Sequence, residues 1–169
     1  MTGKQFLESI KENYDQDGFE IAHNFFVVFS RFEFALKASR NYLKNGNGNK
    51  AEANWDLFTS DIRVHFNKKK NTELSDAVNY ILAHPPRIQK YIDGQIAWQN
   101  RIFNNQPEIN RLSQSIRDIR NNLFHGGKFT GRYEQDASRN VKLLKSAMII
   151  LDEWLLLSEP VKRAFLSSL

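Results

Sequence analysis

At 169 residues the chain is sized for a single domain, residues 1–169, whose core needs no disulfide or metal staple. The absence of cysteine excludes disulfides, thiolate metal sites and a cysteine nucleophile. A net charge of +5, from 24 Lys and Arg against 19 Asp and Glu, favours a polyanionic partner without identifying one.

The first ten residues, Met1 to Ile10, alternate polar and apolar positions and lack the continuous apolar stretch of a secretory signal. No apolar run is longer than Phe25 to Phe29, far below the roughly 20 residues that span a bilayer. No membrane partner is expected, and the expected location is cytoplasmic.

Residues 18 to 44 carry Phe25, Phe29, Phe32 and Leu36 at steps of four, three and four, which predicts a long helix with one buried face. Phe26, Val27, Val28 and Phe34 widen that face, as expected of a central helix touched from several sides. Asn45-Gly-Asn-Gly-Asn-Lys50 is expected to end it. A second helix is predicted over 51–66 from Ala51, Trp55, Phe58, Ile62 and Phe66, closed by the polar run Asn67 to Asn71, where Lys68-Lys-Lys70 is expected to be a solvated loop. Leu74, Val78, Ile81 and Leu82 predict a third helix that stops before Pro85-Pro86. Residues 87 to 99 obey a helical period only in part, are interrupted by Gly94, and are assigned to helix.

Pro107 suits the first turn of the next helix, where Ile109, Leu112, Ile116, Ile119 and Leu123 repeat at three, four, three and four up to Gly126-Gly127. Val141, Leu144, Met148, Leu151 and Leu155 predict another long helix, and Ser158-Glu-Pro160 separates it from a short terminal one. With no sustained period-two alternation and no glycine-rich phosphate loop, the expected fold class is all-α, a bundle of about five to seven helices.

The helix from Pro107 leaves Ser113, Gln114, Arg117, Asp118, Arg120, Asn121, Asn122 and His125 outside its apolar stripe. At about 100° per residue, Asn121 and His125 share a face and Arg120 lies between that face and the stripe. An arginine, an amide and a histidine near a helix end, followed by Gly126, Gly127 and Lys128, make a phosphate-seeking group.

Arg120-Asn-Asn-Leu-Phe-His125 resembles the R-x4-6-H motif of the HEPN superfamily, in the form where a polar residue, often Asn, follows the arginine. The flanking Asp118-Ile119 and Gly126-Gly127-Lys128-Phe129, together with the aromatic-rich Arg31-Phe-Glu-Phe-Ala-Leu36, are similar to those of bacterial members. Residues 46–100 carry no family signature and read as a family-specific insertion.

The resemblance implies a HEPN-like helical bundle with metal-independent endoribonuclease activity, in which the ribose 2′-hydroxyl attacks phosphorus and leaves a 2′,3′-cyclic phosphate. Arg120, His125 and Asn121 would be catalytic, Glu33 and Asn122 supporting, and Arg117 and Lys128 would guide the RNA backbone. The residue types suit the chemistry: a histidine exchanges protons near neutral pH, and an arginine fork holds phosphate oxygens. One histidine does not readily serve as both base and acid, so a homodimer with the active site at its interface is expected. Neither a cofactor nor a metal is expected, because His23, His65 and His84 lack ligand spacing. As a toxin or anti-phage defence effector, the protein would have RNA as substrate and an antitoxin of nucleotidyltransferase type as partner.

Three plainer accounts stay open. Arg120 and His125 could be cations offsetting a helix C-terminus. Glu33 and Lys37 could form an ordinary i,i+4 surface pair. The whole could be a non-catalytic HEPN-type module that binds RNA, nucleotide or a protein.

Overall fold

In the computed structural model, residues 2–5, 7–8, 16–124 and 137–167 are described. Helix α1, Gln16–Ala38, buries Phe25, Phe29, Phe32 and Leu36 as their spacing predicts. It stops six residues before the expected boundary at 44, because Arg40 takes the left-handed backbone (φ 65°) that closes a helix.

Leu43–Asn45 (β1) then pairs antiparallel with Ala51–Ala53 (β2) around a tight turn at Asn47–Asn49. The Asn/Gly run expected to terminate a helix is thus the tip of a hairpin, with Gly48 (φ 66°) and Asn49 (φ 60°) supplying the left-handed turn. Helix α2, Trp55–Ile62, is shorter than the predicted 51–66 because Ala51–Ala53 is paired in β2 and the Asn54 side chain caps the helix by accepting from the Leu57 N–H at 3.2 Å.

Helix α3, Thr72–Ala83, starts where Asn71 accepts from the Leu74 N–H at 2.8 Å and ends before the two prolines, as expected. The segment assigned to helix over 87–99 is instead an antiparallel hairpin of β3, Arg87–Ile92, and β4, Gln95–Asn100. Asp93 (φ 48°) and Gly94 (φ 80°) form its two-residue turn, and an Asp-Gly pair with both φ positive matches the right-handed twist of the strands it joins. Among the described residues the protein is mostly helical, as a helical bundle requires, and carries two small two-stranded sheets that the all-α expectation did not include.

Helices α4, Glu108–Phe124, α5, Ala137–Leu156, and α6, Glu159–Leu166, follow the predicted stripes. Helix α1 packs on α5 and α6, and α3 on α5. Trp55 stacks on both Phe29 and Phe32, at ring separations of 5.6 and 5.5 Å, and Phe58 meets Trp154 edge-on at 6.0 Å. Trp55, Phe58, Leu74 and Ile81 are all buried in the same cluster as α1 and α5, so much of segment 46–100 builds the core. The Lys68–Lys70 loop, expected to be merely solvated, clasps two helices: Lys68 meets Glu108 at 2.6 Å and Lys70 meets Glu153 at 2.8 Å. Among the described residues no helix is long and apolar enough to cross a membrane.

Candidate functional site

The helix carrying the motif is covered on two sides. Its apolar stripe, Ile109, Leu112, Ile116 and Ile119, enters the core, while Ser113, Ser115, Asp118 and Asn122 are buried as well. Asp118 and Asn122, expected on an open face, therefore lie under the foot of the β3–β4 hairpin, which brings their partners. Arg101, one residue past β4, donates from Nε and Nη2 to the two Asp118 oxygens at 2.6 and 2.7 Å. Asn122 donates from its amide to the Arg87 carbonyl at 2.8 Å, so it pins the first residue of β3. Both anchors follow from one requirement, that a buried polar group be hydrogen-bonded.

Arg120 occupies the last turn of α4 with its side chain one-third exposed (34%). Its Nη1 donates to Asn121 Oδ1 at 2.8 Å, and its Nη2 lies 3.9 Å from Glu33 Oε2 on α1. The guanidinium is stacked between two rings, 5.5 Å from the Phe29 centroid and 5.7 Å from that of Phe124. Glu33 is thus paired across to the motif arginine, and the helix spacing explains why: Phe29, Phe32 and Leu36 bury their face of α1 and leave position 33 at its margin beside α4.

Arg117, one turn before, is half-buried. Its Nη2 donates to Gln114 Oε1 at 2.8 Å, while its buried Nε has no hydrogen-bond partner among the described residues. Burial pushes the Arg117 guanidinium below its usual range, opposed by the negative charges of Asp56, Asp118 and Glu33. Gln114 in turn donates to Asp118 at 3.2 Å. A run of alternating charge, Arg101, Asp118, Arg117, Glu33 and Arg120, therefore follows α4 toward its C-terminal end.

The structure brings Glu33, Arg120 and Asn121 together, with Arg117 beside them. It turns Asn122 away into the hairpin foot. His125 and Lys128 lie outside the described residues, His125 following directly on Phe124. The Arg101–Asp118 clamp was missed in the sequence, since no spacing rule joins residues on a strand end and a following helix. Among the described residues no three His, Asp or Glu side chains come together in a group that could hold a metal ion. No family model matches this chain, and no curated protein or solved structure does so either.

Proposed function

We propose that the protein is a metal-independent endoribonuclease of the HEPN type. The observation that carries this reading is the seating of Arg120, paired with Glu33, bonded to Asn121 and stacked on Phe29. An arginine serving only as a helix-end cation needs no such enclosure. One held by a carboxylate, an amide and a ring has little freedom left to lose when it meets a phosphate.

In the proposed reaction the 2′-oxygen forms a bond to phosphorus as the bond from phosphorus to the 5′-oxygen breaks. The 2′-proton passes to a base and the 5′-oxygen takes a proton from an acid, roles assigned to His125 and its counterpart in a second copy. Arg120 neutralises the charge that gathers on the non-bridging oxygens, and the Asn121 amide, whose oxygen is committed to Arg120, offers its N–H groups to the same phosphate. Arg117 adds positive field from behind. A homodimer with two motifs facing one cleft belongs to this reading. So do RNA as substrate and an antitoxin of nucleotidyltransferase type for a toxin or anti-phage effector.

The test is incubation of the protein with a mixed RNA pool in EDTA, beside His125→Ala and Arg120→Ala, with product ends mapped and the oligomeric state measured by sedimentation. Cleavage to cyclic-phosphate ends by the wild type, lost in both variants, is expected. Equal inertness of all three on every RNA offered would replace the enzyme with a binding module, and a fully active monomer would remove the shared cleft.

A further inference from the structure

The β3–β4 hairpin stands against α4, and its register decides what it offers. Arg87 pairs with Asn100, Gln89 with Trp98 and Tyr91 with Ile96. Directly opposed residues share a face and alternate residues repeat it, so these six lie on one face. On that face Tyr91 is 83% exposed, Ile96 72% and Trp98 37%. Aromatic and branched side chains clustered in water forgo the burial that normally stabilises them, so the fold by itself does not account for this strip.

At its foot the same face opens into a cleft of about 530 Å³ whose polar lining is His84, Arg87, Asn100 and Arg139. Arg139 is held there by donating to the carbonyls of Pro85 at 2.8 Å and His84 at 3.4 Å. One turn further along α5, Lys142 lies over the Tyr80 ring at 5.7 Å, and that ring stacks on His84 at 4.7 Å. Among the described residues, no acidic side chain lines the cleft.

Cations at one end and open ring faces along a strip match the two things an unpaired nucleic-acid strand presents, phosphates and bases. We propose that this hairpin face and the cleft at its foot are a track for single-stranded RNA, with phosphates at Arg87 and Arg139 and bases stacked on Trp98 and Tyr91. The proposal rests on the ribonuclease reading and narrows its substrate to unpaired RNA. The hairpin is joined through Arg101–Asp118 and Asn122–Arg87 to α4, the helix that also carries Arg120, so the track and the motif share one support. Charge decides the occupant. A second copy whose two-fold axis passed through this cleft would bring Arg87 and Arg139 against their own counterparts, whereas a polyanion neutralises them.

The strip carries its own reporter, because Trp55 and Trp154 are buried and Trp98 is the half-exposed indole among the three. His125→Ala protein, which keeps the hairpin and leaves RNA uncut, is titrated in EDTA with a short oligouridine and with a duplex RNA of equal length. Tryptophan fluorescence and sedimentation are followed. Quenching by the single strand is expected, with affinity falling as salt rises. Trp98→Ala and Tyr91→Ala should each weaken binding roughly tenfold, the scale of one lost base stack, while Trp98→Phe retains most of it. Arg87→Gln should weaken binding and lower the salt slope by about 0.7 for one phosphate contact.

Unchanged affinity in these variants, with circular dichroism unaltered, would overturn the track while cleavage by the wild type would still uphold the nuclease. Equal binding of duplex without quenching would overturn it too. A shift from dimer to monomer in Trp98→Ala at undiminished RNA affinity would assign the face to a second copy. Quenching and tight binding, together with a wild type that cuts no RNA offered, would keep the track and end the nuclease reading.

Discussion

Arg101 closes both arms of its guanidinium on the Asp118 carboxylate, yet the two partners are unequally placed: Asp118 is 2% exposed and Arg101 keeps 30% of its side chain in water. The pairing with Asp118 raises the affinity of Arg101 for its proton further above the ordinary range. Removal of either partner therefore has a different consequence. Arg101→Ala leaves a buried carboxylate with the Gln114 amide, and the expected loss is about 3 kcal/mol. Asp118→Ala leaves an arginine that can turn to solvent, with an expected loss of about 1–2 kcal/mol. Urea denaturation of the two variants measures the order, and a larger loss for Asp118→Ala would contradict it.

Glu33 supplies the charge facing Arg120 across the α1–α4 contact. On the ribonuclease proposal, Glu33→Gln is expected to lower the rate of RNA cleavage roughly 10²-fold through a misplaced guanidinium, with little change in KM. Lys37→Ala should leave both constants as they are. Equal effects of the two substitutions would return Glu33 to an ordinary surface role.

Tyr42 is buried between α1 and β1, and desolvation, together with the neighbouring Asp61 charge and its hydrogen bond, raises its hydroxyl above the ordinary value of 10.0. The unfolded chain gives up this proton at lower pH than the folded one. Its contribution is thus fully present below about pH 10 and is lost as pH rises through the folded-state value. Urea midpoints taken between about pH 8 and pH 11 should show a shallower alkaline decline in Tyr42→Phe than in the wild type. At neutral pH the same substitution should cost about 1 kcal/mol for the lost hydrogen bond.

Gly94 holds φ 80° at the hairpin tip, where an added Cβ would meet open space apart from the Tyr91 hydroxyl at 4.0 Å. The penalty of Gly94→Ala is therefore one of backbone conformation, about 1–2 kcal/mol. Hydrogen exchange should quicken at the amides of β3 and β4 and stay unchanged in α1 and α5. A uniform increase throughout the protein would mean that the hairpin and the bundle unfold as one unit.

The helices were legible wherever one face is buried and the other wet. On α4 the apolar stripe from Ile109 to Ile119 and on α1 the set Phe25, Phe29, Phe32 and Leu36 all reached the core. The β3–β4 hairpin was illegible to the same test because its apolar residues are not half-buried: Tyr91 and Ile96 stand in solvent, so no alternation was selected for. The signal that could have found it was the Asp93-Gly94 pair between two runs rich in branched and aromatic residues. At the site, Arg120, Asn121 and Glu33 were named through the motif resemblance, and helical spacing alone did not single out Glu33. Asp118 and Asn122 read as surface polar groups because their partners, Arg101 and the Arg87 carbonyl, are brought by a hairpin that periodicity did not reveal.

Arg31 of α1 donates to the carbonyls of Phe165 at 2.8 Å and Ala164 at 3.2 Å, near the end of α6, and α5 is the other main support of α1. During synthesis the first long helix is thus made well ahead of the segments that cover it. At about 5–20 residues per second, a gap of roughly 120 residues leaves the α1 phenylalanines without their final cover for on the order of 10 s. A nascent chain stalled before α5 would display that face to the ribosome surface and to chaperones, and its release would trigger the closing step of folding.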